Sequence, residues 1–500
     1  MAEQLDRTEV HHAVQHMPFV LDTGETVQVT GVAYGAYDAV RPQWAMNVLA
    51  TSDRFLFRAL VNSILVYELD ATMLLQVSGG VVPPLERLET ISLGHGAELG
   101  PVALVGVDFE TINALAVGYF GPTLVVVAVM SQGTVAIVDA EPPFQVLGTV
   151  DNDDGESTWS IGVSPRPQPV GQERLVVGAN NHRLSIITRN PDAADAGDWL
   201  VLQVLEPPFH KHNVPCMAMH PGNARMLASV SIDQHLVLWD LDAQIAVRSR
   251  MLEPHLLDQP GWHVRWIARS DIGIVVAPRR RPEAKNRLTP LGAEKDLNED
   301  DIPFRDRAGM DIFDVHSDVL YPAYVDMPPR ATDAIESAGD AGSPDEQMLV
   351  TCSRTTLYLM DGELRVLAKL RYLFRHLDEA ADDPASRAAT VEFVPERSLI
   401  AIAAASIVIV RVACVIEPTA AFSNFSLTRV ARVDIASPLR HGVARTTCAG
   451  LAVVRRNGRV YLVAISLFGD VQFFQLDTVR ARCRTERLQN GILFGDSSIL

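Results

Sequence analysis

Short runs of alternating apolar and polar residues, separated by turn residues, recur along the chain. The clearest example lies within residues 212–240. There, 214–220 alternates, Pro221-Gly222-Asn223 is a turn, and 226–230 and 236–239 are two further short apolar runs. Alternation with a period of two is typical of strands that bury one face. This segment is therefore predicted to be a small antiparallel sheet folded back on itself.

The last run of this segment ends in alternating apolar residues up to Trp239, and weaker copies of that pattern occur elsewhere. With Trp239, the large apolar residues that end the copies are Tyr67, Val138, Ile187, Met360, Val410 and Phe474, called the anchor residues below. The anchors recur roughly every 50 to 70 residues, apart from one gap of about 120 residues between Trp239 and Met360. Seven copies of a small sheet predict an all-β repeat fold.

The stretch LASVSIDQHLVLWD, residues 227–240, resembles the WD-repeat signature over its whole length. In that family each repeat forms one four-stranded blade of a β-propeller. The resemblance implies a hydrogen-bonded chain that lets polar side chains lie under the blade with their partners. It places His212 as the repeat's histidine, Asp233 in the turn between the second and third strands, and Ser229 or Ser231 on the second strand. The third strand then ends in Trp239 and Asp240, and the role of these residues is structural.

The predicted fold is therefore an all-β, seven-bladed β-propeller of the WD-repeat type over residues 26–477, with an eighth blade at 310–325 as an alternative. A strand over 26–32 can close the ring beside the seventh blade, because pairing the two ends removes an exposed sheet edge. We expect a flexible N terminus over 1–25 and a C-terminal tail over 478–500.

The long gap lies in the fifth unit. It begins with the strand-like residues 264–267 and 272–276, and continues into 278–308 and 327–346, which are rich in charge, proline, glycine and serine. Segments of that composition bury too little apolar surface to offset the entropy of ordering, so they are predicted to be mobile insertions. The best helical candidate in the chain is 367–381, which ends before Pro384.

Composition limits the classes of function. The chain has 500 residues, 48% of them hydrophobic, and a net charge of −18, which argues against broad nucleic-acid binding because that requires a basic face. The five cysteines form no C-x-x-C pair, so neither a disulfide framework nor a zinc knuckle is indicated, and a reducing compartment is expected. The N terminus does not read as a signal peptide and no apolar run reaches the length of a membrane span, so no membrane association is expected.

No sequence motif indicates catalysis or a cofactor. The chain has no G-x-S-x-G, H-E-x-x-H, Walker loop or G-x-G-x-x-G. His210, His212, His220 and Cys216 lie close in sequence, but on alternate strand faces or in a turn, so they are not expected to converge on a metal. Residues 151–156 imitate a calcium loop, but Gly162 stands at the twelfth position, where a glutamate is needed.

Two features suggest binding. The first is a basic cluster, a candidate nuclear-import signal or phosphate contact whose alternative is a solvated insertion: Arg279, Arg280, Arg281, Lys285 and Arg287. The second is the narrow face of the propeller with its blade-edge loops. Five tryptophans are candidate exposed anchors there or core residues: Trp44, Trp159, Trp199, Trp262 and Trp266.

Three passages resemble the fungal WD-repeat proteins named for constitutive transcription of ribonucleotide reductase: residues 178–186, residues 212–241 and Gly261-Trp262. The similarity extends over roughly residues 100–270. It implies a non-enzymatic scaffold that binds other proteins, acts in the nucleus or also in the cytoplasm, and regulates transcription or the DNA-damage response. It also implies service as a substrate adaptor of a cullin-type ubiquitin ligase. Such adaptors often read W-D-x-R, whereas Asp242 reverses the charge of that arginine here.

Two other functions remain as alternatives. A propeller enzyme or small-molecule binder would use the central channel, and would need polar or titratable groups at the inner strands. The inner strands at 161–163 and 217–219 are mostly apolar. A nucleic-acid binder would use the cluster at 279–287, and its affinity would fall steeply with salt.

Overall fold

The structure is a computed structural model. The residues it describes are 10–11, 19–20, 25–34, 47–69, 87–93, 110–152, 156–169, 172–189, 199–205, 210–252, 263–276, 347–352, 356–371, 390–403, 406–416, 423–434, 448–456, 458–466 and 471–480. They contain three N-terminal strands, β1 (Val10–His11), β2 (Phe19–Val20) and β3 (Glu25–Tyr34), followed by seven sheets. We call these sheets blades 1 to 7 in chain order.

Blades 1 to 4 each consist of four consecutive antiparallel strands. Blade 1 contains β4 (Leu49–Thr51), β5 (Phe55–Leu60), β6 (Ser63–Glu68) and β7 (Arg87–Ser92). Blade 2 contains β8 (Ile112–Phe120), β9 (Thr123–Met130), β10 (Thr134–Asp139) and β11 (Val146–Asp151). Blade 3 contains β12 (Thr158–Gly162), β13 (Arg174–Ala179), β14 (Leu184–Arg189) and β15 (Trp199–Leu205). Blade 4 contains β16 (Cys216–His220), β17 (Asn223–Val230), β18 (His235–Asp240) and β19 (Ile245–Met251).

Blades 5 to 7 depart from this simple order. Blade 5 contains β20 (His263–Ala268), β22 (Gln347–Cys352), β23 (Thr356–Met360) and β24 (Val366–Arg371). The intervening strand β21 (Gly273–Val276) belongs to the sheet of blade 6. Blade 6 contains β25 (Thr390–Val394), β26 (Leu399–Ala403), β27 (Ser406–Ile416) and β28 (Ser423–Asp434). Blade 7 contains β29 (Cys448–Arg456), β30 (Arg459–Ser466) and β31 (Val471–Arg480). Two short 3-10 helices lie at Arg269–Asp271 and Pro395–Arg397.

The ring closes between blades 7 and 1. Strand β3 pairs antiparallel with β31 from Glu25–Arg480 to Tyr34–Val471, and so supplies the fourth strand of blade 7. The first strands of successive blades contact one another all the way round, including β29 with β4. The predicted seven-bladed propeller and its closing strand are confirmed. Within the segment expected to be flexible, β1 and β2 both pair with β3.

All seven anchor residues lie on the third strands of their blades and are buried. Neighbouring blades cover both faces of each third strand, so the strand needs a continuous apolar run. Burying one large apolar side chain stabilises the fold by roughly 2 kcal/mol. The clusters of buried side chains accordingly cross from one blade to the next, as with Val127 of blade 2 and Leu175 of blade 3. The anchor pattern identifies the blades because this burial recurs in every copy.

The fifth unit differs from its prediction in two places. Strand β21 pairs parallel with β27 of blade 6, from Gly273–Ala413 to Val276–Ile416, and the second strand of blade 5 is β22. The helix predicted at 367–381 is wrong for the part that the structure describes. Residues 366–371 form β24 instead. In the turn before it, Asp361 Oδ1 accepts hydrogen bonds from Glu363 N and Arg365 N, and this turn lets β24 pair with β23.

Several predictions for the fifth unit fall outside the described residues. These are the insertions at 278–308 and 327–346 and the alternative eighth blade at 310–325. Among the residues that the structure does describe, no helix is long and apolar enough to cross a membrane.

Polar side chains at the inner strands tie each of the first four blades to the next one. In each case the side chain bonds a backbone carbonyl of the following blade or of the loop that enters it. The contacts are Asn47 Nδ2 to Leu115 O at 3.3 Å, Asn113 Nδ2 to Thr158 O at 2.8 Å, Ser160 Oγ to Val214 O at 2.6 Å, and Cys216 Sγ to Val264 O at 3.6 Å. These bonds satisfy buried carbonyls and fix how neighbouring blades sit around the channel.

Candidate functional site

A hydrogen-bonded network lies under blade 4. Ser229 Oγ is 2.7 Å from both Trp239 Nε1 and His210 Nε2. An indole nitrogen can only donate, so the serine oxygen accepts from Trp239. With the His210 proton on Nδ1, the ring nitrogen that faces Asp233, the serine hydroxyl donates to His210 Nε2. This order of donors satisfies the polar atoms that the three side chains direct at one another inside the blade.

Asp233 holds the other end of this network. Its Oδ1 accepts from His235 N at 2.9 Å, its Oδ2 accepts from Lys211 N, and its Oδ1 lies 3.8 Å from His210 Nδ1. Burial alone would raise the pKa of this carboxyl, but the His210 ring and the two backbone N–H groups outweigh burial and hold the pKa below its ordinary value. Asp233 therefore stays ionised and closes the turn between β17 and β18.

The histidine of this network is His210, and not His212 as the sequence resemblance implies. The turn before β16 directs the His210 ring inward, where it is buried, and leaves His212 exposed. His212 contributes its backbone carbonyl instead, which accepts from Ser231 Oγ at 2.9 Å. Two histidines stand within three residues of each other, and only the path of the turn decides which one points inward.

Asp240 and Asp242 lie at the far end of the third strand of blade 4. Asp240 Oδ1 accepts from Ala243 N and Asp242 N, and these bonds, with Arg225, lower the pKa of Asp240. Asp242 is 2.6 Å from Arg174 of blade 3 and 2.9 Å from Arg225. Both aspartates therefore serve the β18–β19 turn and the contact between blades 3 and 4.

The network does not recur at the equivalent position of the other blades. In blade 4, Ser229 on the second strand pairs with Val237, which lies two residues before the anchor Trp239. The residue paired in the same way in each other blade is the equivalent of Ser229. Its equivalents are Arg58, Ala128, Val177, Thr351, Ile402 and Ala464. The network of serine, histidine and tryptophan is thus a property of blade 4, which explains why the sequence motif is legible once.

The seven inner strands enclose a central channel of about 380 Å³. On the first strand of each blade, one residue pairs with Ser229 or its equivalent. The next residue along that first strand is alanine or glycine in five blades: Ala50, Ala116, Gly162, Ala218 and Ala452. Blades 5 and 6 carry Arg265 and Glu392 there instead. Arg265 Nη1 donates to Glu392 Oε1 at 2.7 Å, so an ion pair joins the two blades beside the channel.

Glu392 is the more buried partner of this pair. Burial raises the pKa of its carboxyl, whereas the guanidinium of Arg265 acts in the opposite direction. The guanidinium of Arg265 thus offsets part of the cost of burying this carboxylate. The prediction that the inner strands are mostly apolar thus holds for 161–163 and 217–219, but it misses this charged position.

Cys216 and His263 also line the channel and lie side by side, with Sγ 3.5 Å from Nδ1. Burial raises the pKa of the Cys216 thiol to about 12. Burial, helped by the nearby charge of Arg265, lowers the pKa of His263 to about 3. The pair is therefore a neutral thiol beside a neutral imidazole at pH 7, and a thiol in that state is a poor nucleophile.

The other predicted ligands and anchors are dispersed. His220 packs edge-on against Trp266, with 4.7 Å between ring centroids, far from the His210 network, and the described residues hold no group of three potential metal ligands. Trp266 is buried and donates to Ala218 O, whereas Trp159 lines the channel. Trp199 begins β15. Trp44, Trp262 and the basic cluster 279–287 lie outside the described residues.

Sequence comparisons identify no relative of this chain. No protein-family model matches it, and no curated protein is significantly similar. Among solved structures, the chain is similar to a chain of the crystal structure titled "Crystal Structure of Mitotic Checkpoint Complex". The TM-score is 0.48 and the identity is 12%, over 95% of this chain and 98% of that chain. A likeness at this level carries no argument about function.

Proposed function

We propose that this propeller is a non-enzymatic scaffold that binds an extended segment of another protein along the outer strand of blade 4. The observation that carries the proposal is the number of exposed apolar side chains on β19. Ile245, Val247 and Met251 are 56%, 45% and 54% exposed, and they make up three of the five large apolar side chains exposed among the described residues.

The position of β19 in its sheet supports this role. It is the last strand in the order β16-β17-β18-β19, so its outer edge has no partner strand among the described residues. An unpaired edge with apolar side chains is a template for an added strand, in which main-chain hydrogen bonds give affinity. The occupant we propose is therefore an extended, apolar stretch of a partner protein.

The state of the channel groups supports a non-enzymatic role. Cys216 and His263 are held neutral and mutually packed, and the His210 network serves the fold of blade 4. A thiol and an imidazole that both stay neutral near pH 7 are poorly suited to attack a substrate or to exchange a proton with it.

The test is affinity purification of the full chain from an extract of its source cells, comparing Val247→Lys with Leu88→Lys. Leu88 is a matched control because it is 49% exposed on β7, the outer strand of blade 1. We expect wild type and Leu88→Lys to retain the same stoichiometric partner and Val247→Lys to lose it. Recovery of that partner by Val247→Lys, or of no partner by wild type, would contradict the proposal.

We further propose a nuclear role in regulating transcription of ribonucleotide reductase genes or in the DNA-damage response. The support is the resemblance of residues 178–186, 212–241 and 261–262 to the fungal regulators. Deleting the gene should change ribonucleotide reductase transcript levels, and a fluorescent fusion should lie in the nucleus. Replacing Arg279, Arg280 and Arg281 by alanine should shift the fusion to the cytoplasm if this cluster is the import signal.

Service as an adaptor of a cullin-type ubiquitin ligase is a second candidate, from the same resemblance. The engagement of Asp242 by Arg174 and Arg225 weighs against docking through the W-D-x-R position, since that position is occupied by an ion pair between blades. Co-purification of the ligase linker would support this candidate, and its absence from a stable complex would remove it.

A further inference from the structure

The channel holds an arginine that uses only part of its hydrogen-bonding capacity. Arg265 uses Nη1 for Glu392, and its side chain is 39% exposed towards the channel. A guanidinium carries five N–H donors. Those on Nε and Nη2 have no hydrogen-bond acceptor among the residues that the structure describes, so they are free to meet a ligand.

Glu392 orients this arginine. Its side chain is only 13% exposed, and its carboxylate fixes one edge of the guanidinium at 2.7 Å. An arginine held in this way meets an anion without first losing side-chain freedom, which favours binding. Glu392 is thus a positioning residue for Arg265.

The remaining wall combines polar groups with partly exposed apolar side chains and leaves room. Val117 of blade 2 and Trp159 and Ile161 of blade 3 line the channel, and the alanines at the Arg265 position keep it open. The volume of about 380 Å³ falls within the range of small-molecule sites. One guanidinium beside a buried carboxylate offers little net charge, which suits a monoanion better than a phosphate dianion.

We propose that the central channel binds a small carboxylate with an apolar body, the carboxylate on Arg265 and the body against the inner strands of blades 2 and 3. This site is independent of the partner surface on β19. A free carboxylic acid and the C-terminal carboxylate of a peptide share this chemistry.

Isothermal titration of the full chain with hexanoate, and with hexan-1-ol as the uncharged match, tests the proposal. We expect saturable binding of hexanoate, roughly 10- to 100-fold tighter than hexan-1-ol, because a hydrogen bond to a charged group is lost with the alcohol. A six-residue apolar peptide with a free C terminus, compared with its amide, shows whether the source is a free acid or a chain end; either result supports the site.

Two variants locate the site. Arg265→Gln should weaken hexanoate binding at least tenfold, and Ala116→Leu should weaken it similarly by filling the channel while leaving Arg265 in place. The matched control is Arg248→Gln, because Arg248 pairs with Glu363 across blades 4 and 5 and is 40% exposed, but outside the channel. This control should bind as wild type does.

Thermal unfolding of each variant separates loss of the site from loss of the fold, and Ala116→Leu keeps the test valid if Arg265→Gln does not fold. A channel that holds only water would show no saturable hexanoate binding at millimolar concentration. That result, or wild-type affinity in folded Arg265→Gln, overturns the proposal.

Discussion

Blades 4 and 1 bury different polar side chains at the same register position, a hydrogen-bonded serine in blade 4 and an arginine in blade 1. Ser229 and Arg58 are both 0% exposed, and each pairs across the sheet with the residue two before its anchor. Ser229 has two side-chain partners. Arg58 Nε, Nη1 and Nη2 are buried with no hydrogen-bond partner among the described residues, between Leu49 and Leu65 of the neighbouring strands.

The difference shows that the propeller does not need the blade 4 network. Four other blades carry Ala128, Val177, Ile402 or Ala464 at this position, and they form the same sheet by apolar packing. Blade 5 carries Thr351, whose hydroxyl donates to His263 O at 2.9 Å. The network is therefore one way to satisfy polar groups inside a blade, whereas Arg58 is a buried charge that opposes folding.

The largest effect is expected for Ser229→Ala. Removing the hydroxyl leaves Trp239 Nε1 and His210 Nε2 buried without a partner, which should lower the free energy of unfolding by about 3 kcal/mol. Urea denaturation measures this change. Ser231→Ala is the control, because Ser231 bonds only backbone groups at the turn, and it should cost about 1 kcal/mol. Equal losses in the two variants would contradict the role assigned to Ser229.

Arg58→Met should act in the opposite direction. It removes the buried charge and fills the site with an apolar side chain of adaptable shape, which should raise the free energy of unfolding by about 2 kcal/mol. Arg54→Met is the control, since Arg54 is exposed beside Glu68 and should change stability by less than about 1 kcal/mol. Destabilisation by Arg58→Met would show that the guanidinium has a partner beyond the described residues.

The pH dependence of stability should depend on Asp233. Its pKa is lower in the folded chain than in the unfolded chain, so its contribution is complete above about pH 4 and is lost as the pH falls below that value. Between pH 5 and pH 3, wild type should lose about 1 kcal/mol more than Asp233→Asn. Urea denaturation at both pH values measures this, and parallel losses would exclude Asp233 as the source.

The smallest effect is expected for His212→Ala. Its ring is exposed and accepts one hydrogen bond from Asn213 N, so the free energy of unfolding should change by less than about 0.5 kcal/mol. His210→Ala, which leaves the Ser229 hydroxyl without its acceptor, should cost about 2 kcal/mol. A larger loss of stability in His212→Ala than in His210→Ala would show that His212, and not His210, is the histidine of the network.

The comparison of these blades also separates what was predictable in the site. Ser229, Asp233 and Trp239 come together as the motif implies, because short strands and a tight turn fix their spacing locally. His210 was missed, although it stands two residues before the predicted histidine. Arg265 and Glu392 were missed too. The sequence feature that could have revealed them is a charged residue at a first-strand position where five other blades have alanine or glycine.

The amino-acid sequence by itself determined the number of blades, the third-strand anchors and the strand that closes the ring. Those features follow from alternating burial, which is written into each strand separately. Only the tertiary structure decided that β21 leaves blade 5 for blade 6, that His210 turns inward, and that Arg265 meets Glu392 while Arg58 meets no partner among the described residues. Each of these depends on residues far apart in the chain, whose contacts are set by how the blades pack around the channel.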